Sequence, residues 1–381
     1  MDEGGPESVP EPRQDTSSRP MEEISLVQQQ TAAASPISGQ ALTSVAAQYR
    51  DRSTGLVVFG VIQIILGLLA ALMVPFAALG AFLTRLAPGA AMRPGQYISG
   101  IASYAVMAAV LLTLGIGSVQ MKRWARALTL VISWYWLITG VLMTVLMTAV
   151  LPVVMRSVMR AQQNAAGQSG ALSAGIMAVI LTVVIVFAAF FLIVVPIAFV
   201  VFYSRQDVAD TCRDRDPVER WTDRVPLPVL GASVVFVVQA LYLLSSGFAT
   251  PMFPFFGRYL LGLPAIPWFL AVASLDTYLA VAFLRVKPVA WWIAVVVEPI
   301  RLLSMAVTFS RADLMLAYAK LGWSDAQVQM LSSSPFFRSH VVLWWSLISA
   351  ILFFGYVLWL KRYFKMTAAP QPPEVLPVHA G

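Results

Sequence analysis

The sequence predicts an all-α integral membrane protein with eight transmembrane helices, and three observations carry that prediction. Hydrophobic residues fill 59% of the 381 positions and charged residues 12%, against roughly 45–50% and about 25% in a soluble domain. The mean hydropathy is +0.75. Arg and Lys cluster between uncharged runs, each longer than the roughly 20 residues needed to cross a bilayer. Together these exclude a soluble globular enzyme, a disordered protein and a coiled coil.

Residues 1–53 form a polar segment with Pro6, Pro10, Pro12 and Pro20 and eight acids against four arginines. That composition predicts a disordered tail. It has no basic n-region leading into an apolar h-region, so no signal peptide is expected there. Residues 31–49 suit a weak helix on the membrane surface, and Arg50 and Arg52 mark the membrane edge.

The spans follow in order over a membrane domain of 54–365. Arg52 to Arg85 encloses 32 uncharged residues, Arg93 to Lys122 encloses 28, and Arg126 to Arg156 encloses 29. Arg160 to Arg205 encloses 44, Arg224 to Arg258 encloses 33, and Arg338 to Lys361 encloses 22. Between Arg258 and Arg311 the basic turn Arg285-Val286-Lys287-Pro288 separates two more helices. The expected spans are about 55–84, 98–119, 126–151, 173–203, 228–248, 265–285, 289–310 and 341–363. A Pro-rich tail, 366–381, ends the chain.

Orientation follows from basic residues. With both termini cytoplasmic, seventeen of the 26 Arg and Lys residues lie inside, eight lie outside and Arg301 is intramembrane. The bias favours that topology in a multi-pass protein of the plasma membrane. The formal charge of +7 and pI near 9.7 are explained by this placement beside anionic headgroups. With no basic helix or stacking platform outside the spans, nucleic acid is not an expected partner; the lipid bilayer is.

The spans contain an apparent parallel 4+4 repeat, halves 54–203 and 226–365. Gln63 precedes Pro75 by twelve residues, as Gln239 precedes Pro251. Lys122 and Lys287 each open a span after a short basic turn, and Ala161-Gln162 and Ala326-Gln327 follow them at equal intervals. Convergence of apolar helices is the alternative.

The candidate intramembrane polar site is Asp276, Glu298, Arg301, Gln63 and Gln239. Asp276 lies nine residues from Arg285 and Glu298 eleven beyond Lys287, depths of roughly 13 and 16 Å at helical rise. Glu298 and Arg301, three apart, share a helix face. Three lipid-facing charges would cost roughly 8–10 kcal/mol on insertion scales. They are therefore expected to form one interior cluster, with Arg301 reaching Asp276 bidentately. Pro299 cannot donate to the Val295 carbonyl and is expected to kink the helix. Under the repeat, Glu298 and Arg301 correspond to Ser133 and Trp136, so the first half has no equivalent charges. Gln63 and Gln239 read either as links between helices or as the lining of a cavity.

The connector 204–225 has five arginines and six acids. It reads as a salt-bridged link between the halves and a candidate partner surface. Cys212 with Asp210 and Asp214 is too sparse a donor set for a metal. Ser324 and Gln327 form a capping box, so a short helix should begin at Asp325 and end before Pro335.

The chain has no phosphate loop, HExxH or GxSxG, and only two histidines. No enzymatic activity, cofactor or metal is expected. The leading reading is a non-enzymatic structural, assembly or sensory component. The alternative is a secondary transporter or channel for a proton, ion or small solute, using the mid-membrane cluster.

Overall fold

Eight helices among the described residues are long and apolar enough to cross a membrane, in the order expected from the sequence. The computed structural model describes residues 50–86, 94–166, 179–180, 182–183, 185–333 and 339–365. The expected N-terminal tail with its surface helix at 31–49, most of the first third of the fourth span, and the C-terminal tail lie outside the described residues.

The first three spans are α1 (Ser53–Leu86), α2 (Pro94–Val119) and α3 (Arg123–Ala166). The helix α3 runs well past its expected end at 151. It passes Pro152, after which Val153 to Ala166 are mostly residues tolerated in helices, and the next glycine is Gly167. The fourth span contains a π-helical turn, Phe190–Val194, followed by α4 (Val195–Tyr203). Pro196 has no N–H for the Leu192 carbonyl, and Val195 N–H donates to the Phe190 carbonyl instead. The glycine at Gly140 lets α3 approach this site, since a Cβ there would collide with the Leu192 carbonyl oxygen.

A connector made of α5 (Gln206–Arg215) and α6 (Trp221–Arg224) leads to α7 (Leu227–Ala249), the fifth span. Next come β1 (Met252–Phe255) and β2 (Arg258–Leu261), then a 3-10 turn and the sixth span, α8 (Ile266–Leu284). The seventh span is α9 (Pro288–Arg311). Short helices α10 (Leu314–Lys320) and α11 (Asp325–Ser333) precede the eighth span, α12 (Ser339–Trp359), and a final turn, α13 (Lys361–Lys365). The capping box closes as expected: Ser324 N–H donates to Gln327 Oε1 at 3.0 Å and Gln327 N–H to Ser324 Oγ at 3.3 Å.

The hairpin β1–β2 was not legible as such. Pro251, Pro254, Gly257, Arg258 and Gly262 punctuate the segment, but its apolar residues merge with those of the neighbouring spans. Phe256 (φ 38°) and Gly257 (φ 95°) form the two-residue turn, the combination that matches strand twist in a tight hairpin. The tip is fastened to α9. Phe256 N–H donates to Ser304 Oγ at 3.1 Å, Gly257 N–H to Thr308 Oγ1 at 3.0 Å, and Ser304 Oγ–H to the Pro254 carbonyl at 3.2 Å.

Packing within each half is pairwise. The helix α1 packs on α2 and α3 on the fourth span; α7 packs on α8 and α9 on α12. The halves meet where α7 lies against α2 and α3, with Ser99 Oγ hydrogen-bonded to Ser245 Oγ. A buried core in the second half gathers Phe236, Leu279, Phe283, Trp291 and Val357. Trp291 Nε1–H donates to the Val357 carbonyl at 2.8 Å and Tyr356 Oη–H to the Pro228 carbonyl at 2.6 Å.

Two turns have the same construction 165 residues apart. After α2, Met121 takes φ 55° while Lys122 N–H donates to the Gly117 carbonyl and Met121 N–H to Ser118. After α8, Val286 takes φ 49° while Lys287 N–H donates to the Ala282 carbonyl and Val286 N–H to Phe283. Both are Schellman closures. A β-branched valine in the left-handed region is unusual and strained.

The α1–α2 contact depends on small residues. A Cβ on Gly115 would lie 2.7 Å from Ile64 Cγ1 and 2.9 Å from the Gly60 carbonyl oxygen, and one on Gly60 would lie 2.9 Å from the Gly115 oxygen. Close backbone approach of this kind drives helix association in lipid. Gly115→Ala is expected to lower stability by about 1–3 kcal/mol, the usual cost of overpacking. Gly100→Ala, where a Cβ meets nothing within 4 Å, is expected to be neutral or stabilising. Thermal unfolding of the purified chain in detergent compares the two.

Candidate functional site

Three spans bring four polar side chains together near mid-membrane. Asp276 projects from α8, Glu298 and Arg301 from α9, and Gln239 from α7. Arg301 Nη1 donates to Asp276 Oδ1 at 2.8 Å, to Glu298 Oε1 at 3.2 Å and, at 3.5 Å, to Gln239 Oε1. Asp276 is fully buried, Glu298 is 8% exposed and the Arg301 side chain 26%. The α8–α9 turn makes the helices antiparallel, so groups a similar distance from it meet at one level.

The geometry corrects two expectations. Arg301 does not hold Asp276 bidentately: one nitrogen serves three acceptors, and Asp276 Oδ2 is buried without a hydrogen-bond partner among the described residues. Sharing Nη1 binds three helices but leaves the second carboxylate oxygen unmatched. Pro299 lies inside α9, which runs as one helix from Pro288 to Arg311. Gln63 stands apart from the charged cluster, with its own partners in the first half.

Those partners form a neutral chain, one residue from each of the first four spans. Tyr203 Oη–H of α4 donates to Ser118 Oγ of α2 at 2.9 Å, and Ser118 Oγ–H donates to Gln63 Oε1 of α1 at 3.3 Å. Gln63 Nε2–H then donates to Thr129 Oγ1 of α3 at 3.2 Å. Gln63, Ser118, Thr129 and Tyr203 are all nearly or fully buried. This is the linking role for Gln63. Ser118, Thr129 and Tyr203 have no distinguishing sequence signal, since isolated hydroxyls are common in apolar helices and their convergence is tertiary.

Beyond Arg301, α9 continues the polar stripe with Ser304 and Thr308, both buried. Thr308 Oγ1–H donates back to the Ser304 carbonyl at 2.7 Å, and both hydroxyls hold the hairpin tip. The stripe therefore runs from the charged cluster to the β1–β2 turn along one helix.

The connector turns Asp216 inward. Asp216, with 4% of its side chain exposed, lies 3.7 Å from Lys122 Nζ and 3.8 Å from Arg220 Nε, and accepts from Arg123 N–H at 3.3 Å. Asp223 pairs with Arg123 at 3.3 Å and Asp207 with Arg52 at 3.4 Å, while Arg52 N–H donates to Thr211 Oγ1 at 3.1 Å. The connector thus neutralises the starts of α1 and α3. Asp210 pairs with Arg213 at 3.2 Å. Cys212 is 1% exposed, and burial pushes its thiol up to about 11.

No family model, curated protein or solved structure matches the chain. The site therefore stands on its own chemistry.

Two outcomes follow. Arg301→Met keeps the apolar stem but leaves two carboxylates without their cation, and is expected to destabilise the fold by about 3–5 kcal/mol, the usual result of breaking a buried pair from one side. Chemical denaturation in detergent reads it. Cys212 should resist maleimide near pH 7 and react once the chain is unfolded, because the thiolate is the nucleophile. Its folded value lies above the ordinary 9.0, so its contribution to stability is complete below pH 9 and falls as pH rises through about 11. Labelling with and without denaturant, and unfolding across that range, check both.

Proposed function

We propose that this chain is a non-enzymatic, multi-pass membrane component with a structural, assembly or sensory role. In this reading the charged cluster ties α7, α8 and α9 together. The observation that carries it is the complete burial of Asp276 against Arg301 at 2.8 Å, with Glu298 and Gln239 on the same nitrogen. A cluster that joins three helices through one nitrogen fixes how those helices pack. We place the protein in the plasma membrane with both termini cytoplasmic, on the distribution of its basic residues.

The halves are read as a parallel duplication. Support comes from the two Schellman turns 165 residues apart and from the matching helix pairing in each half. Each half also surrounds its equivalent glutamine, Gln63 or Gln239, with polar groups from neighbouring spans. The exposed Val218 and Trp221 of the connector are the proposed contact for a protein partner.

A second reading, secondary transport of a proton, ion or small solute, is favoured by one observation: Asp276 Oδ2 is buried without a hydrogen-bond partner among the described residues. An unmatched carboxylate oxygen is an acceptor for a proton or a small cation.

Replacing Asp276, Glu298 and Arg301 together by Leu separates the readings. A packing cluster predicts a triple variant at least as stable as the wild type, because apolar replacement of a whole buried ion cluster is often neutral or stabilising by about 1–4 kcal/mol. It also predicts wild-type proteoliposomes no leakier to protons or sodium than protein-free ones. Flux above that background, abolished by Asp276→Asn, would replace the structural reading with transport.

A further inference from the structure

The two Schellman turns leave one end of each half with basic residues, but among the described residues only one set is paired with carboxylates. At the first turn Lys122 and Arg123 are half-buried and answered by Asp216 and Asp223 from the connector. At the second, Arg285 and Lys287 are exposed. Lys361 and Arg362, at the end of the eighth span, are exposed on the same end of the bundle. Lys361 Nζ lies 5.4 Å from the centre of the Trp291 ring, one helical turn beyond Lys287. Among the described residues, no carboxylate forms an ion pair with any of these four cations.

Aromatic rings frame them. Trp292 is 59% exposed and Trp359 47%. The Arg362 guanidinium lies 3.8 Å from the centre of the Trp359 ring, and its Nη2–H donates to Tyr363 Oη at 3.0 Å. Stacking occupies the flat face of a guanidinium and leaves edge donors for a bidentate anion. Lys361 likewise keeps its ammonium donors while lying over an indole. Basic heads beside amphipathic indoles, where three membrane-spanning helices end, are the chemistry of the headgroup layer.

We infer that Arg285, Lys287, Lys361 and Arg362, with Trp292 and Trp359, form a binding site for the phosphate of anionic phospholipid headgroups. Charge complementarity selects the occupant. Four exposed cations with no ion-paired carboxylate among the described residues favour an anion, and the exposed indoles favour one with an apolar body continuous with the bilayer. The first turn needs no such occupant because the connector supplies its carboxylates. The inference is independent of whether the mid-membrane cluster packs or transports.

The test titrates the purified full chain, in a neutral detergent, with short-chain phosphatidylglycerol while following thermal unfolding. Phosphatidylcholine of the same chain length and inorganic phosphate are run in parallel. Phosphatidylglycerol should raise the melting temperature in a salt-sensitive way, and the other two should not. Lys287→Gln, Lys361→Gln and Arg362→Gln together should weaken the response by about a hundredfold in concentration, from about fivefold per basic residue. Arg311→Gln, which removes an exposed cation from the opposite end of α9, should leave it unchanged. If the triple variant fails to fold, Arg362→Gln alone should still shift the titration by about fivefold. Equal stabilisation by phosphatidylcholine or by inorganic phosphate overturns the assignment. So does an unchanged titration in the basic-residue variants, or an equal loss in Arg311→Gln.

Discussion

A polar group in hydrocarbon has no water to accept or donate its hydrogen bond, so it must find a protein partner or carry a cost of several kcal/mol. That constraint organises the interior more than apolar packing does, since lipid tails and leucine side chains are nearly equivalent surroundings. In the first half it collects Gln63, Ser118, Thr129 and Tyr203 into one chain across four spans. In the second it draws Gln239, Asp276 and Glu298 onto a single nitrogen of Arg301. It also governs the hairpin, whose turn N–H groups end on Ser304 and Thr308.

The two halves meet the same requirement with different chemistry. A neutral chain of hydroxyls and a carboxamide polarises its members and adds no net charge. The charged cluster has two carboxylates to one guanidinium, and its unequal arrangement leaves Asp276 Oδ2 without a partner. A neutral network can be complete at low cost, whereas a charged one is sensitive to the loss of any member. The difference makes the second half the chemically distinctive part of the molecule.

Outside the spans the same asymmetry appears in reverse. The first half has an internal counter-charge in the connector, where Asp216 and Asp223 face Lys122 and Arg123. The second half presents its cations beside exposed tryptophans. Among the described residues, one set of cations is answered by protein carboxylates and the other is exposed.

The sequence by itself determined the number and order of the spans, because length and hydropathy are local properties of a chain in a bilayer. It also determined the basic turns and the capping box at Ser324, and it singled out Asp276, Glu298 and Arg301, because an intramembrane charge is conspicuous wherever it points. Tertiary structure decided the rest. The α3 extension ran through Pro152 and past the charged boundary at Arg156, and the hairpin straddles Arg258, the boundary that closed the fifth span's uncharged run. The separation of Gln63 from Gln239 could not be read, since a buried amide announces a need for partners without naming them. Which hydroxyl answers which amide, and how many acceptors share one guanidinium, depends on how helices distant in sequence are rotated and stacked. Local periodicity in a uniformly apolar helix does not encode that rotation.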